Sequence, residues 1–149
     1  MTIGEICSRV VVLARKDMPL GAAAKLMREH HVGSLVVVEE RDRGRVPVGI
    51  ITDRDIVVEV IAADLDHRNL TVGEIMGSEL ITAREQDNML DTLQVMRRRG
   101  VRRMPVVDSA GVLVGVVTID DLLEIVAEEL DDVVKAISSE QSREARTRR

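Results

Sequence analysis

GIITDRDIV (Gly49–Val57) and GVVTIDDLL (Gly115–Leu123) carry one pattern twice. Each opens on small and β-branched residues, reaches a threonine, and turns into an apolar-periodic helix. Thr52 and Thr118 stand at this strand-to-helix corner, and Asp55 and Asp121 follow in the first helical turn. A Thr-x-x-Asp before an apolar run is a capping box: the hydroxyl accepts from an orphan N–H, and the acid complements the positive helix end. The same geometry suits a ligand. Free N–H groups at a helix start bind phosphate, and a carboxylate one turn on can accept hydrogen bonds from a ribose diol. A capping residue can also touch a ligand, so the two readings coexist.

Outward from these corners the chain repeats itself. TIGEI at Thr2–Ile6 returns as TVGEI at Thr71–Ile75, an offset of 69 residues. That offset also pairs Ala14 with Ala83, Met27 with Met96, Val32 with Val101 and Val37 with Val106. It drops to 66 between the corners, because the first copy has the longer turn, EERDRGRVP against DSAG. Each copy reads as a short helix (2–7; 71–76), a short strand (10–14; 79–82), a helix, two strands and a closing helix. PLGAAAKLMREHH sets Leu20, Ala24, Met27 and His31 on one side of the first long helix. NMLDTLQVMRRRG sets Met89, Leu93 and Met96 on one side of the second. Pro19 suits a first helical turn and Gly100 a C-terminal cap. The Val- and Ile-rich strands read as buried on both faces.

The fold class is therefore α/β. Neither copy could bury its apolar faces alone, so two pseudosymmetric β-α-β-β-α repeats pack into one module. The repeats are assigned to 1–66 and 67–137, with DLDHRNL (64–70) as the linker. SSEQSREARTRR (138–149) is polar, carries a local charge of +2 and is expected to be disordered.

Composition removes several function classes. No residue is aromatic and the net charge is −5, so no stacking platform or basic surface exists to make nucleic-acid binding the main role. The lone Cys7 excludes an internal disulfide framework and a multi-cysteine zinc site, and a cytoplasmic setting is the default expectation. MTIGEICSRV has neither a basic start nor a long apolar stretch, and no apolar run approaches the ~20 residues that span a bilayer. His30 and His31 are adjacent and do not share a helix face, so no metal site is expected there. His67 falls in the linker. Cys7 aligns with Met76 and reads as a small core side chain. Arg97, Arg98 and Arg99 end a helix, where cations complement the dipole. No nucleophile elbow, Walker loop or Ser–His–Asp spacing is present, and the protein reads as non-enzymatic.

Two strand–helix–strand–strand–helix units, each ending in G-h-h-T-x-x-D-h-h, with RRMPVVDSAG within the second, resemble a tandem cystathionine-β-synthase (CBS) domain pair. The resemblance covers residues 1–137. It implies two CBS repeats in a Bateman module, a regulatory unit that binds adenosine-containing ligands in two clefts between the repeats. It also implies dimerisation into a flat disc. Carried over by position, the first cleft would use Ile50, Thr52 and Asp55, with Leu80, Ile81, Arg102 and Arg103 opposite. The second would use Val116, Thr118 and Asp121, with Val10, Val12, Gly33 and Ser34 opposite. The aspartates would hold ribose hydroxyls, the threonines phosphate, and the aliphatic residues adenine.

The clefts are unequal in sequence. Arg102 and Arg103 make the first favour phosphate through charge-assisted bonds. Gly33 and Ser34 stand at the matching places of the second, and Asp120 beside its corner opposes a polyphosphate. AMP is therefore the favoured ligand, with ATP, NAD and S-adenosylmethionine as alternatives and no metal required. The expected protein is a homodimeric nucleotide sensor acting on an unidentified regulated protein, with no membrane role. The competing expectation is a dimeric interaction scaffold with empty clefts.

Overall fold

Two three-stranded sheets, one from each copy of the repeat, make up the computed structural model, which describes residues 1–148. The first copy runs α1 (Ile3–Ile6), β1 (Leu13–Ala14), α2 (Leu20–His30), β2 (Ser34–Arg41), β3 (Gly44–Thr52) and α3 (Asp53–Ile56). The second runs α4 (Val72–Ile75), β4 (Ala83–Arg84), α5 (Met89–Arg99), β5 (Arg103–Val107), β6 (Leu113–Thr118) and α6 (Ile119–Thr147). In each sheet the short strand pairs parallel with the central one, and the last strand returns antiparallel. Both sheets shift register at equivalent places, between Val37 and Val38 and between Val106 and Val107. Among the described residues no helix is long and apolar enough to cross a membrane.

The central strands are buried from Leu35 to Val38 and from Met104 to Val107, as the Val-rich pattern predicts. β3 and β6 differ from that expectation. They alternate buried and half-buried residues, because each leaves one row of side chains, including Thr52 and Thr118, between the repeats.

The repeats are held together by an exchange. α1 leaves its own copy and packs on the other: Ile3 and Gly4 donate their N–H groups to Asp87 and Glu85 carbonyls at 2.9 and 2.8 Å. α4 makes the reciprocal bonds from Val72 and Gly73 to Met18 and Lys16, both at 2.9 Å. Val72 is thus buried in the core of Leu20, Met27, Leu35 and Ile51. Ile3 is buried in the core of Met89, Met96, Met104 and Val106. Each short helix is fixed at its start by a capping threonine, whose N–H donates to Glu5 or Glu74.

Several local expectations are corrected. The short strands are Leu13–Ala14 and Ala83–Arg84, so the second lies beyond the expected 79–82. On α2 the buried alanine is Ala23; Ala24 and His31 are exposed, and His31 is the left-handed C-cap at φ 53°. Pro19 is the N-cap of α2 rather than its first residue. On α5 Thr92 is buried beside Met89 and Met96, whereas Leu93 is half-buried. Gly100 caps α5 at φ 66°, the role read from its position. The closing helix of the first copy is short. Its β-branched run Ile56-Val57-Val58 crowds an α-turn, and the chain continues as a π-helical turn over Val57–Ile61. The linker holds a 3-10 turn at His67–Asn69, capped by the Asp66 carboxylate.

The expected disordered tail is helical instead: α6 runs without a break to Thr147, and Arg149 lies outside the described residues. Ser138–Thr147 contains neither Gly nor Pro, and Arg146 in the last turn complements the helix dipole. Polarity marked this segment as solvent-exposed, which it is, but did not oppose a helix.

Cys7 occupies the position equivalent to Met76, half-buried at the end of α1, with its S–H directed at the Gly4 carbonyl at 3.8 Å. Burial pushes its thiol up, against the opposing pull of Arg9. The thiolate is the reactive form. Iodoacetamide at pH 8 is therefore expected to modify Cys7 more slowly than free cysteine. Mass-spectrometric time courses measure this, and a rate equal to that of the free thiol would contradict the buried placement.

Candidate functional site

The two Thr-x-x-Asp corners are built alike. Thr52 Oγ1 accepts from the Asp55 N–H at 3.1 Å, and Asp55 Oδ2 accepts from the Thr52 N–H at 2.9 Å. At the second corner the distances are 3.1 and 3.0 Å between Thr118 and Asp121. These are complete capping boxes. The capping reading is therefore correct, and it leaves chemistry unused. Each threonine hydroxyl accepts one bond and keeps its own hydrogen to donate. Each aspartate commits one oxygen to the cap; the other has no hydrogen-bond partner among the described residues.

The start of each central strand is tied to a corner in its own repeat. The Gly33 carbonyl accepts from the Asp53 N–H at 2.9 Å, and the Arg102 carbonyl accepts from the Ile119 N–H at 2.8 Å. The clefts then form crosswise between repeats.

A cavity of about 450 Å³ lies between the first corner and the second repeat. Ile50, Thr52, Asp55, Leu80, Ile81, Arg102 and Arg103, all singled out from sequence, line it together. Asp53, Arg54, Gly77, Glu79, Gly100 and Val101 complete the wall. Its apolar side is half-buried aliphatic surface. Its charged side is mixed. Glu79 is ion-paired with Arg99 at the end of α5. Arg102 approaches Asp120 only at 3.8 Å, with both side chains largely in solvent. Arg54 and Arg103 make no ion pair among the described residues. The cavity thus offers apolar walls, a free carboxylate oxygen, a hydroxyl donor and uncommitted guanidinium groups. Its volume falls within the roughly 300–1,000 Å³ of small-molecule sites.

The second cavity is smaller, about 180 Å³. Val10, Val12, Ser34, Val116, Thr118 and Asp121 line it as expected, with Ser8, Val11, Val32 and Val36 added. Gly33 is not on its wall: it has no side chain to reach inward, and its carbonyl is turned to Asp53. Among the described residues no lysine or arginine lines this cavity. Its size has a local cause. Ser8 and Val116 exchange two backbone hydrogen bonds, each 2.9 Å, which pin the segment ahead of β1 against β6. The equivalent of Ser8 is Gly77, where a Cβ would meet nothing within 4 Å. The first cavity therefore stays open and the second is drawn shut.

Two of the residues missed by sequence reading were within its reach. The offset of 69 maps Val10, Val11 and Val12 onto Glu79, Leu80 and Ile81. Applied strictly, it gives both Glu79 and Val11. The imidazoles of His30, His31 and His67 lie on exposed residues, away from both cavities.

This architecture is that of a tandem CBS module. The chain belongs to the CBS domain family, which matches residues 3–62 and 72–128. It is 36% identical over 139 residues to hypoxic response protein 1 of Mycobacterium tuberculosis, covering 93% of this chain and 94% of that one. A crystal structure of Hypoxic Response Protein I with two coordinated zinc ions is similar at a TM-score of 0.72 and 35% identity, covering 83% of this chain and 98% of that one. An uncharacterized protein of Methanopyrus kandleri is 34% identical over 125 residues, and the alignment spans 84% of this chain but only 62% of that relative's length. A CBS domain pair solved in complex with 5′-methylthioadenosine and S-adenosyl-L-methionine gives a TM-score of 0.74 at 28% identity, covering 87% of this chain and 98% of that one. The zinc ions are a property of that neighbour. Among the described residues of this chain, no three His, Cys, Asp or Glu side chains gather into a metal-binding group.

Proposed function

We propose that the protein is a non-enzymatic regulatory module that binds an adenine nucleotide, AMP by preference, in the larger cavity. The observation that carries this reading is the convergence of Ile50, Thr52, Asp55, Leu80, Ile81, Arg102 and Arg103 on one cavity between the repeats. Ile50, Leu80 and Ile81 would enclose the adenine. The free oxygen of Asp55 would accept from the ribose hydroxyls. Thr52 and the guanidinium groups of Arg102 and Arg103 would hold a single phosphate through charge-assisted bonds. Asp53, Glu79 and Asp120 around the same mouth oppose the added charge of ATP. S-adenosylmethionine and NAD stand behind AMP because they do not present a terminal phosphate to the arginines. The smaller cavity, below the usual size for such ligands, has a lesser role.

A ligand held between the repeats changes their relative angle only if it prefers one arrangement. The surface offered to a regulated partner protein changes with that angle, in a cytoplasmic module that requires no metal. The exposed apolar side of α6 supports self-association with a second copy.

The absence of Trp, Tyr and Phe allows a direct test. Any 260 nm band of the desalted, nuclease-treated protein reports a bound nucleotide. Calorimetric titration with AMP then measures affinity. Asp55→Asn keeps an oxygen for the cap but loses the charge at the ribose. A hydrogen bond to a charged group contributes about 1.5–3 kcal/mol, so AMP is expected to bind at least about tenfold more weakly. Equal affinity of the two proteins, or no AMP binding at millimolar concentration, would overturn the reading.

A further inference from the structure

Arg54, Arg102 and Arg103 all line the larger cavity, and the reading above uses only the last two. Arg54 stands where a helix gains least from it. It is the second residue of α3, whose turns run on to Ile61, and a cation in a first turn opposes the helix dipole. The residue at the same place in the other corner, 66 positions on, is Asp120, which suits that dipole. The local rule is kept at one corner and broken at the other, and such breaks gather at functional positions.

The neighbours of Arg54 do not account for it. It lies between two carboxylates, and both are spent on the backbone. Asp53 Oδ1 accepts from the Arg54 N–H at 2.8 Å, and Asp55 Oδ2 accepts from the Thr52 N–H at 2.9 Å. Among the described residues the Arg54 guanidinium has no ion-pair partner. It belongs instead to the wall that Arg102 and Arg103 line from the other repeat.

Arg102 is held differently. Its carbonyl accepts the Ile119 N–H at 2.8 Å, and its guanidinium lies 3.8 Å from Asp120 Oδ1. The start of α6 thus engages both the backbone and the side chain of this residue. An anion in the cavity competes with Asp120 for Arg102, and its own charge is repelled by that carboxylate.

We infer that Arg54 and Asp120 together set the number of phosphates this site accepts. Arg54 binds the first phosphate and so separates AMP from adenosine. Asp120 is a positioning residue: it draws Arg102 toward α6 and so separates AMP from ATP. The inference rests on the adenine-nucleotide reading above and adds the residues that count phosphates.

Calorimetric titration of the wild type, Arg54→Gln and Asp120→Asn with adenosine, AMP and ATP tests both parts. Magnesium-free buffer keeps the full charge on ATP. Arg54 and Asp120 are exposed, so both variants should fold, and circular dichroism checks this. Arg54→Gln is expected to weaken AMP about tenfold, the loss of one charge-assisted hydrogen bond, and to leave adenosine unchanged. Asp120→Asn is expected to strengthen ATP about tenfold and AMP about threefold, because the repulsion removed grows with ligand charge. Unchanged AMP affinity in Arg54→Gln, or equal losses of AMP and adenosine, would overturn the role of Arg54. An unchanged ATP-to-AMP ratio in Asp120→Asn would overturn that of Asp120. A wild type that binds none of the three would overturn the adenine-nucleotide reading and this inference with it.

Discussion

Ile3→Ala is expected to destabilise the whole module by about 2–5 kcal/mol, the range for removing a large buried aliphatic side chain. The site looks unpromising for so large an effect. Ile3 is the third residue of the chain and sits in a four-residue helix. Yet it is fully buried, and it belongs to the core of the opposite repeat, among Met89, Met96, Met104 and Val106. Its helix is held there by two backbone hydrogen bonds to Asp87 and Glu85. These residues cannot close over the space left by the lost atoms without breaking the pair. Val72→Ala, the equivalent change, removes less volume and is expected to cost about 2 kcal/mol, near 0.8 kcal/mol per buried methylene plus a cavity. With no Trp or Tyr to report unfolding, urea titration followed by circular dichroism is the measurement. The midpoint should fall with the slope unchanged. A loss below about 1 kcal/mol for Ile3→Ala would mean that the exchanged helix does not hold the repeats together.

This exchange also marks where sequence reading stopped. The Thr-x-x-Asp corners were legible because their chemistry is local: the two bonded groups lie three residues apart, and any helix start brings them together. The repeat was legible because its spacing is arithmetic. That TIGEI and TVGEI are equivalent follows from the same arithmetic, but which core each fills does not. A helix of four residues has no periodicity to show a buried face, and its partner lies some 85 residues away. Ala23 and Ala24 were confused for a related reason, since a run of three alanines carries no polar residue to mark the outer side. Seven of the thirteen residues that line the larger cavity were legible, because they come from corners and strand starts placed by the motif. The contrast with the smaller one was only half visible. Arg102 and Arg103 against Gly33 and Ser34 stated the difference in charge. The difference in volume depends on whether one backbone segment pairs with another, and Ser8 against Gly77 does not announce that in sequence.

The same pairing makes two equivalent glycines unequal. Gly49 and Gly115 open the repeated motif, and each lies where the other repeat comes close. A Cβ on Gly49 would stand 2.7 Å from Met76 Sδ. That atom is near the end of a flexible side chain, and methionine adapts readily. A Cβ on Gly115 would stand 2.5 Å from the Ser8 carbonyl oxygen and 2.9 Å from Cys7 Sγ. The Ser8 oxygen is backbone, and it accepts the Val116 N–H at 2.9 Å. Relief of the clash requires the segment to lift from β6, and that breaks the bridge. Gly115→Ala is therefore expected to cost about 3 kcal/mol, the upper part of the usual 1–3 kcal/mol for overpacking. Gly49→Ala should cost less than about 1 kcal/mol, since the nearest atom can turn away. Urea midpoints of the two variants make the comparison directly. Hydrogen exchange adds a readout tied to the mechanism: the Ser8 and Val116 amides should lose protection in Gly115→Ala while those of the first sheet keep theirs. Equal costs for the two substitutions would show that the bridge does not fix the segment ahead of β1. The smaller volume of the second cavity would then need another cause. If the costs separate as expected, one glycine sets how closely the repeats approach on that side, and the open cavity beside Thr52 persists because no such bridge forms there.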